Sequence, residues 1–186
     1  QVWSSQVAAT PATPAAHAWF SEVLGVALRL VYLDDPRRRP TDPAYGRDTD
    51  VVSFADGYPL LLTTRESLDA LNDLTDGPDP LPMTRFRPNA VVTGAQAWSE
   101  DGWRRIRIGD AEFRVVKACG RCVLTTIDPD TATRGPEPLR TLARNRRWDG
   151  KVWFGVNLVP DTPGAILRVG APVEILDAVS VAEPLR

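Results

Sequence analysis

Cys119 and Cys122 are the only cysteines in the chain. They stand three residues apart in the run Lys117-Ala118-Cys119-Gly120-Arg121-Cys122-Val123-Leu124-Thr125-Thr126-Ile127-Asp128-Pro129-Asp130. Two thiols so placed can close a disulfide, exchange disulfides, supply half of a metal cage, or comprise one metal ligand and one bystander. A thioredoxin-like pair opens a helix, whose N-terminus lowers the thiol pKa. Here Val123–Ile127 reads as a strand, which weighs against disulfide exchange. A structural zinc takes about four ligands. The single histidine, His17, lies far upstream in an amphipathic stretch and reads as a helix-surface residue, so carboxylates would have to complete a zinc site.

A third reading is a soft metal held by one thiolate, with its other ligands brought by a dithiolene-bearing pterin. Such a cofactor is large, polar and phosphorylated. Arginine grips phosphate through a bidentate fork, while Asn, Thr and Asp match pterin edges and hydroxyls. The chain offers Arg87-Pro88-Asn89 before a strand, Thr63-Thr64 at a helix start, and Arg121 beside the thiols. Each has a plainer reading: Arg87 as a surface residue, Thr64 as a helix cap.

Elements must position these residues. Thr13 caps and Pro14 opens a helix that Gly25 stops, with Trp19, Phe20, Val23 and Leu24 on one face. Leu28–Leu33 and Val51–Phe54 read as strands. Asp34–Asp50 between them reads as a loop, with Arg37-Arg38-Arg39 solvated. Leu60–Leu62 extends into a helix opened by Thr64, with Leu68, Leu71 and Leu74 at helical spacing. From residue 89 onward strands dominate: Asn89–Thr93, Trp103–Ile108, Glu112–Lys117, Val123–Ile127, Val152–Pro160, Ala165–Val169 and Pro172–Leu176. One more helix runs from about Pro136 to Arg147, with Leu139, Leu142 and Ala143 inward. Many short strands with few helices predict an α+β fold built mainly on a β-barrel. No Gly-rich phosphate loop follows a strand, which argues against a dinucleotide or P-loop site.

Composition sets the bounds. An apolar fraction of 43% and a charged fraction of 25% over 186 residues describe an ordinary globular chain. A formal charge of −2 supplies no global field for nucleic acid or an anionic membrane. No run approaches the roughly 20 apolar residues of a membrane span. Two cysteines are too few for a disulfide scaffold, so a reducing cytoplasm is expected. The opening Gln1-Val2-Trp3, without methionine or secretory leader, suggests a fragment of a longer protein.

The ordered set of short motifs resembles the MOSC domain family, named from the C-terminal domain of molybdenum cofactor sulfurases. The resemblance points to the group of bacterial hydroxylaminopurine-resistance proteins and the mitochondrial amidoxime-reducing component. It rests on Ser53-Phe54-Ala55-Asp56-Gly57-Tyr58-Pro59, Glu66-Ser67-Leu68, Phe86-Arg87-Pro88-Asn89, Ile108-Gly109-Asp110, the run from Cys119 to Pro129, Glu137-Pro138-Leu139, Phe154-Gly155 with Asn157-Leu158, and Val169-Gly170.

This resemblance implies a MOSC domain over residues 1–178, in which residues 1–50 overlap the end of an N-terminal barrel segment, and a linker or tail at 179–186. It implies the molybdenum cofactor (molybdopterin), with Cys122 as the metal ligand and Cys119 a non-ligand neighbour. Asp56 matches an acidic residue near the metal, a candidate for proton delivery. Thr64, Arg87 and Asn89 match positions that hold pterin and phosphate, and Arg121, Thr125 and Asn157 positions that support them. The implied activity is reduction of N-hydroxylated compounds such as hydroxylamines, amidoximes and N-hydroxylated bases. Electrons would come from a ferredoxin-like protein or a flavin reductase. A non-catalytic carrier of the cofactor or its sulfur is the alternative, and a plain redox or structural thiol pair is the third. Gly120, Asn145 and Val156 depart from the polar, aromatic and glutamine residues usual in the family.

Overall fold

A computed structural model describes residues 1–77 and 79–180. The chain forms two compact units, Gln1–Pro59 and the residues from Leu60 on. The expected tail at 179–186 lies outside the described residues from 181 onward.

In the first unit, β1 (Thr10–Pro11) pairs antiparallel with β2 (Val31–Tyr32), and α1 (Pro14–Leu24) connects them. The Thr13 hydroxyl accepts the Ala16 amide at 3.3 Å, and Gly25 ends the helix with φ 65°, as the caps predict. The apolar side of α1 is open: Trp19, Val23 and Leu24 are each more than half exposed. The strand expected over Leu28–Leu33 shrinks to two residues because side chains take its backbone groups. Ser21 Oγ bonds both the amide and the carbonyl of Leu28, and His17 Nδ1 accepts the Leu30 amide at 3.1 Å.

The basic run differs from expectation. Arg37 pairs with Asp35 and Arg38 with Asp34, but Arg39 is buried. Its guanidinium donates to the carbonyls of Ser53, Ala55 and Asp56. Those carbonyls are then lost to strand pairing, so Val51–Phe54 reduces to a single bridge between Val51 and Pro40.

The second unit is one curled sheet. Its strands are β3 (Leu60–Thr64), β4 (Ala90–Val92), β5 (Trp103–Ile108), β6 (Ala111–Gly120), β7 (Arg147–Trp148), β8 (Lys151–Pro160) and β9 (Val173–Ala178). The order is β4-β3-β8-β6-β5-β9, with β7 added beside β8. Among the described strands only β3 and β4 run parallel, and α2 (Arg65–Asp73) makes the crossover that this requires. The two edge strands approach across a cavity of about 420 Å³, lined among others by Val91, Val92, Trp103, Val173 and Ile175. The result is the barrel-like α+β architecture predicted above.

Alternation fixes the inner face. Trp103, Ile106 and Ile108 of β5, Ala111, Phe113 and Val115 of β6, and Val156 and Leu158 of β8 form one buried cluster with Leu62 and Val92. A second cluster sits under the helices: Leu68, Leu71, Leu81, Phe86, Leu142 and Phe154. Leu142 comes from α3 (Leu139–Asn145), which is shorter than expected and leaves Ala143 exposed. Leu74 caps α2 and is exposed.

Two expected strands are absent. Ala165–Val169 is irregular, bounded by Gly164 (φ 85°) and Gly170 (φ 82°), with Ile166 and Val169 outward. Val123–Thr126 is a 3-10 turn. Its cause is the threonine pair: Thr125 Oγ1 donates to the Cys122 carbonyl at 3.0 Å and Thr126 Oγ1 to the Val123 carbonyl at 2.7 Å. Hydroxyls bonding back three residues compete with strand pairing.

Candidate functional site

β6 carries the cysteines to its end. Gly120 pairs with Trp153 of β8, and the chain then leaves the sheet at Arg121, whose amide donates to the Val152 carbonyl at 2.8 Å. Cys122 immediately precedes the 3-10 turn. Neither thiol is in a disulfide; Cys122 is exposed and Cys119 half-buried. The premise that a strand follows the pair therefore fails. A helical turn follows instead, but it is four residues long and places Cys122, not Cys119, at its start.

Arg121 acts as a strut. Its Nε donates to the Phe154 carbonyl at 2.8 Å and its Nη1 to the Phe86 carbonyl at 3.1 Å. The guanidinium also lies near the rings of Phe86 and Phe154, which stack on each other at 4.0 Å. The cysteine segment is thereby tied to the turn Met83–Phe86, and Arg87 is the next residue. Arg87 has φ 53°, is exposed, and donates its amide to the Thr84 carbonyl at 3.2 Å, while its guanidinium has no hydrogen bond or ion pair among the described residues. Asn89 is exposed; its amide donates to the Leu61 carbonyl at 2.9 Å and its Oδ1 accepts the Leu61 amide at 2.8 Å. That exchange starts the β3–β4 pairing and leaves Nδ2 for a ligand.

The other expected residues are engaged within the protein. Thr64 is fully buried, capping α2 by accepting the Ser67 amide at 3.1 Å. Thr125 is buried in the cysteine turn, and Asn157 Nδ2 donates to the Ala118 carbonyl at 3.4 Å. Asp56 is exposed in the first unit, its carbonyl held by Arg39 at 2.6 Å.

Sequence reasoning missed two groups. The first is Arg85 and Asp128, an ion pair at 2.9 Å that joins the 83–86 turn to the loop following the cysteine turn. The second is a buried polar cluster behind α2. Glu100 Oε2 accepts Ser67 Oγ at 2.9 Å and Thr64 Oγ1 at 3.3 Å, and Asp101 Oδ2 accepts Arg146 Nη2 at 2.5 Å. Arg146 lies between the rings of Trp98 and Trp148, at 4.4 and 5.0 Å from their centroids. Burial raises the pKa of both carboxyls; for Asp101 the Arg146 charge offsets part of the rise. Neither group had a local signal, because adjacent acids after a tryptophan read as surface.

The donor chemistry constrains any metal. Among the described residues, no group of three or more His, Cys, Asp or Glu side chains is arranged to hold an ion. The site offers one exposed thiol, one exposed guanidinium and one amide. A bare cation would be under-coordinated there, whereas a metal bringing its own sulfur ligands and a phosphate fits this set.

Comparison with known proteins agrees. The pattern of the MOSC domain matches residues 49–174. The chain is 38% identical over 172 residues to mitochondrial amidoxime-reducing component 1 of Mus musculus, covering 85% of this chain and 49% of that protein. It is 37% identical over 169 residues to mitochondrial amidoxime reducing component 2 of Homo sapiens, covering 83% and 49%. Molybdenum cofactor sulfurase of Oryza sativa subsp. japonica is 34% identical over 157 residues, covering 76% and 19%. The chain thus spans about half the length of these amidoxime-reducing relatives. With two thirds of its residues matched by one pattern, and relatives of 34–38% identity, the chain belongs to the MOSC domain family.

Proposed function

We propose that this chain is the cofactor-bearing part of a molybdenum-dependent reductase of N-hydroxylated compounds. The observation that carries the reading is the exposed Cys122 thiol, set by Arg121 against the turn that presents Arg87. The relatives named for amidoxime reduction support the substrate class. The bound molybdenum cofactor would supply two-electron oxygen-transfer chemistry. Cys122 would ligate the metal as thiolate, Arg87 would grip the phosphate, and the Asn89 amide would meet the pterin edge. Arg121, Thr125 and Asn157 hold the backbone around them, and Thr64 secures α2 behind them. Asp56 is assigned proton supply on its motif alone.

Converting N–OH to N–H consumes two electrons and two protons and releases water. A separate donor protein, ferredoxin-like or a flavin reductase, would deliver the electrons. Two cysteines favour a reducing, cytoplasmic setting. The sulfurase relative favours a second reading, a carrier that binds the cofactor without turnover.

The decisive experiment uses the full-length protein. Molybdenum per chain and benzamidoxime reduction with a chemical reductant are measured for the wild type and for Cys122→Ala. The reading expects both to fall to background in the variant. Full metal content in Cys122→Ala would defeat it, and metal binding without turnover in the wild type would select the carrier.

A further inference from the structure

Cys122 and Arg87 lie on different segments, one after β6 and one before β4, so something must fix their spacing. Two bonds cross between these segments in opposite senses. From the cysteine side, Arg121 reaches over to the Phe86 carbonyl at 3.1 Å. From the other side, Arg85 reaches back to Asp128 Oδ2 at 2.9 Å. The second pair is sheltered, with the side chains 14% and 25% exposed.

Asp128 does two separable jobs with its two oxygens. Oδ1 accepts the amides of Asp130 at 3.0 Å and Thr131 at 2.9 Å, which shapes its own loop. Oδ2 accepts Arg85 Nη2 and takes no backbone amide among the described contacts. A turn that needed nothing but local closure would use the first oxygen alone. The amide bonds, from Thr131 and then Asp130, also hold this carboxyl below its ordinary pKa, so the bridging oxygen is charged at neutral pH.

We propose that Asp128 is a positioning residue: through Arg85 it sets the separation between the Cys122 turn and Arg87, and so between thiolate and phosphate grip. The part that concerns metal and phosphate rests on the function proposed above; the coupling of the two segments does not.

Asp128→Asn separates the two jobs. The asparagine oxygen still accepts the Asp130 and Thr131 amides, while its amide group offers Arg85 no acceptor. Arg85→Met cuts the same bridge from the far end and keeps the apolar stem. Hydrogen exchange on the cofactor-free full-length protein is the first readout. In each variant the amides of Arg87 and Thr125, on opposite sides of the bridge, should exchange faster by about fivefold, the reach of a partly exposed ion pair. Those of Asp130 and Thr131 should be unchanged in Asp128→Asn. The double variant should exchange no faster than the faster single.

The second readout is the thiolate-to-metal charge-transfer absorption of the loaded protein. It should shift in both variants at an unchanged melting midpoint, an effect that plain loss of stability would not give. Unchanged exchange at Arg87 in both variants, or an unshifted absorption band, would overturn the assignment. A wild type that binds no molybdenum would instead overturn the proposed function, and the exchange arm would still decide the coupling.

Discussion

At the scale of single residues, exposure separates the groups proposed to meet a ligand from those that shape the protein. Cys122, Arg87 and Asn89 are exposed, while Thr64 and Thr125 are buried and, with Arg121, hold neighbouring segments of the protein. Arg87→Ala should therefore weaken cofactor retention about 10- to 100-fold, as expected for losing a charge-assisted phosphate bond. Gel filtration followed by molybdenum analysis checks this, and the apoprotein's melting midpoint should stay unchanged because no intramolecular partner is lost. The order of motifs in the sequence nominates these three positions. The sequence also pairs Thr64 with a correct bland reading, since a cap is written in four consecutive residues. Arg85 and Asp128, 43 positions apart, form their bridge only once β4 and β6 share a sheet.

At the scale of elements, the backbone leaves little freedom at two points. Gly155 in β8 has φ 75°, and a Cβ there would lie 2.6 Å from the Leu62 carbonyl oxygen and 2.7 Å from Thr63 Cγ2. Both neighbours belong to β3, so they cannot yield without breaking the ladder. Gly155→Ala should cost roughly 2–5 kcal/mol, from strain plus overpacking, measured by urea denaturation.

The second point is Glu100 on the 3-10 turn Ser99–Gly102, which is fully buried and faces Ser67 and Thr64 from α2, with Asp101 beside it and Arg146 from beyond α3. Its folded pKa lies above its unfolded value, because burial penalises the anion. The folded state then binds the extra proton, and stability falls as pH rises from the unfolded pKa through the folded one. Glu100→Gln removes that slope. Its advantage over wild type should be absent near pH 4 and reach about 1–3 kcal/mol in mildly alkaline buffer; denaturation midpoints across pH test it. Local patterns gave α1 and its caps correctly. They failed at Val123–Thr126, where β-branched residues suggested a strand but two hydroxyls closed a turn.

For the molecule as a whole, fold class was legible because many short strands outnumber the helices and alternation is clear from Ala111 to Val115 of β6, and the pairing order was not, because it depends on contacts far apart in the chain. If the cofactor binds only the folded protein, loading it at 100 times its dissociation constant should stabilise by about 2.7 kcal/mol. Scanning calorimetry of loaded and stripped protein should show that gain in the wild type and none in Cys122→Ala. The open seam between β4 and β9 carries a wider implication. Ala95 and Ala171 line the cavity there, so a modestly larger side chain at either has space to occupy. The closure of this sheet is thus set by small residues at its seam rather than by a continuous ladder.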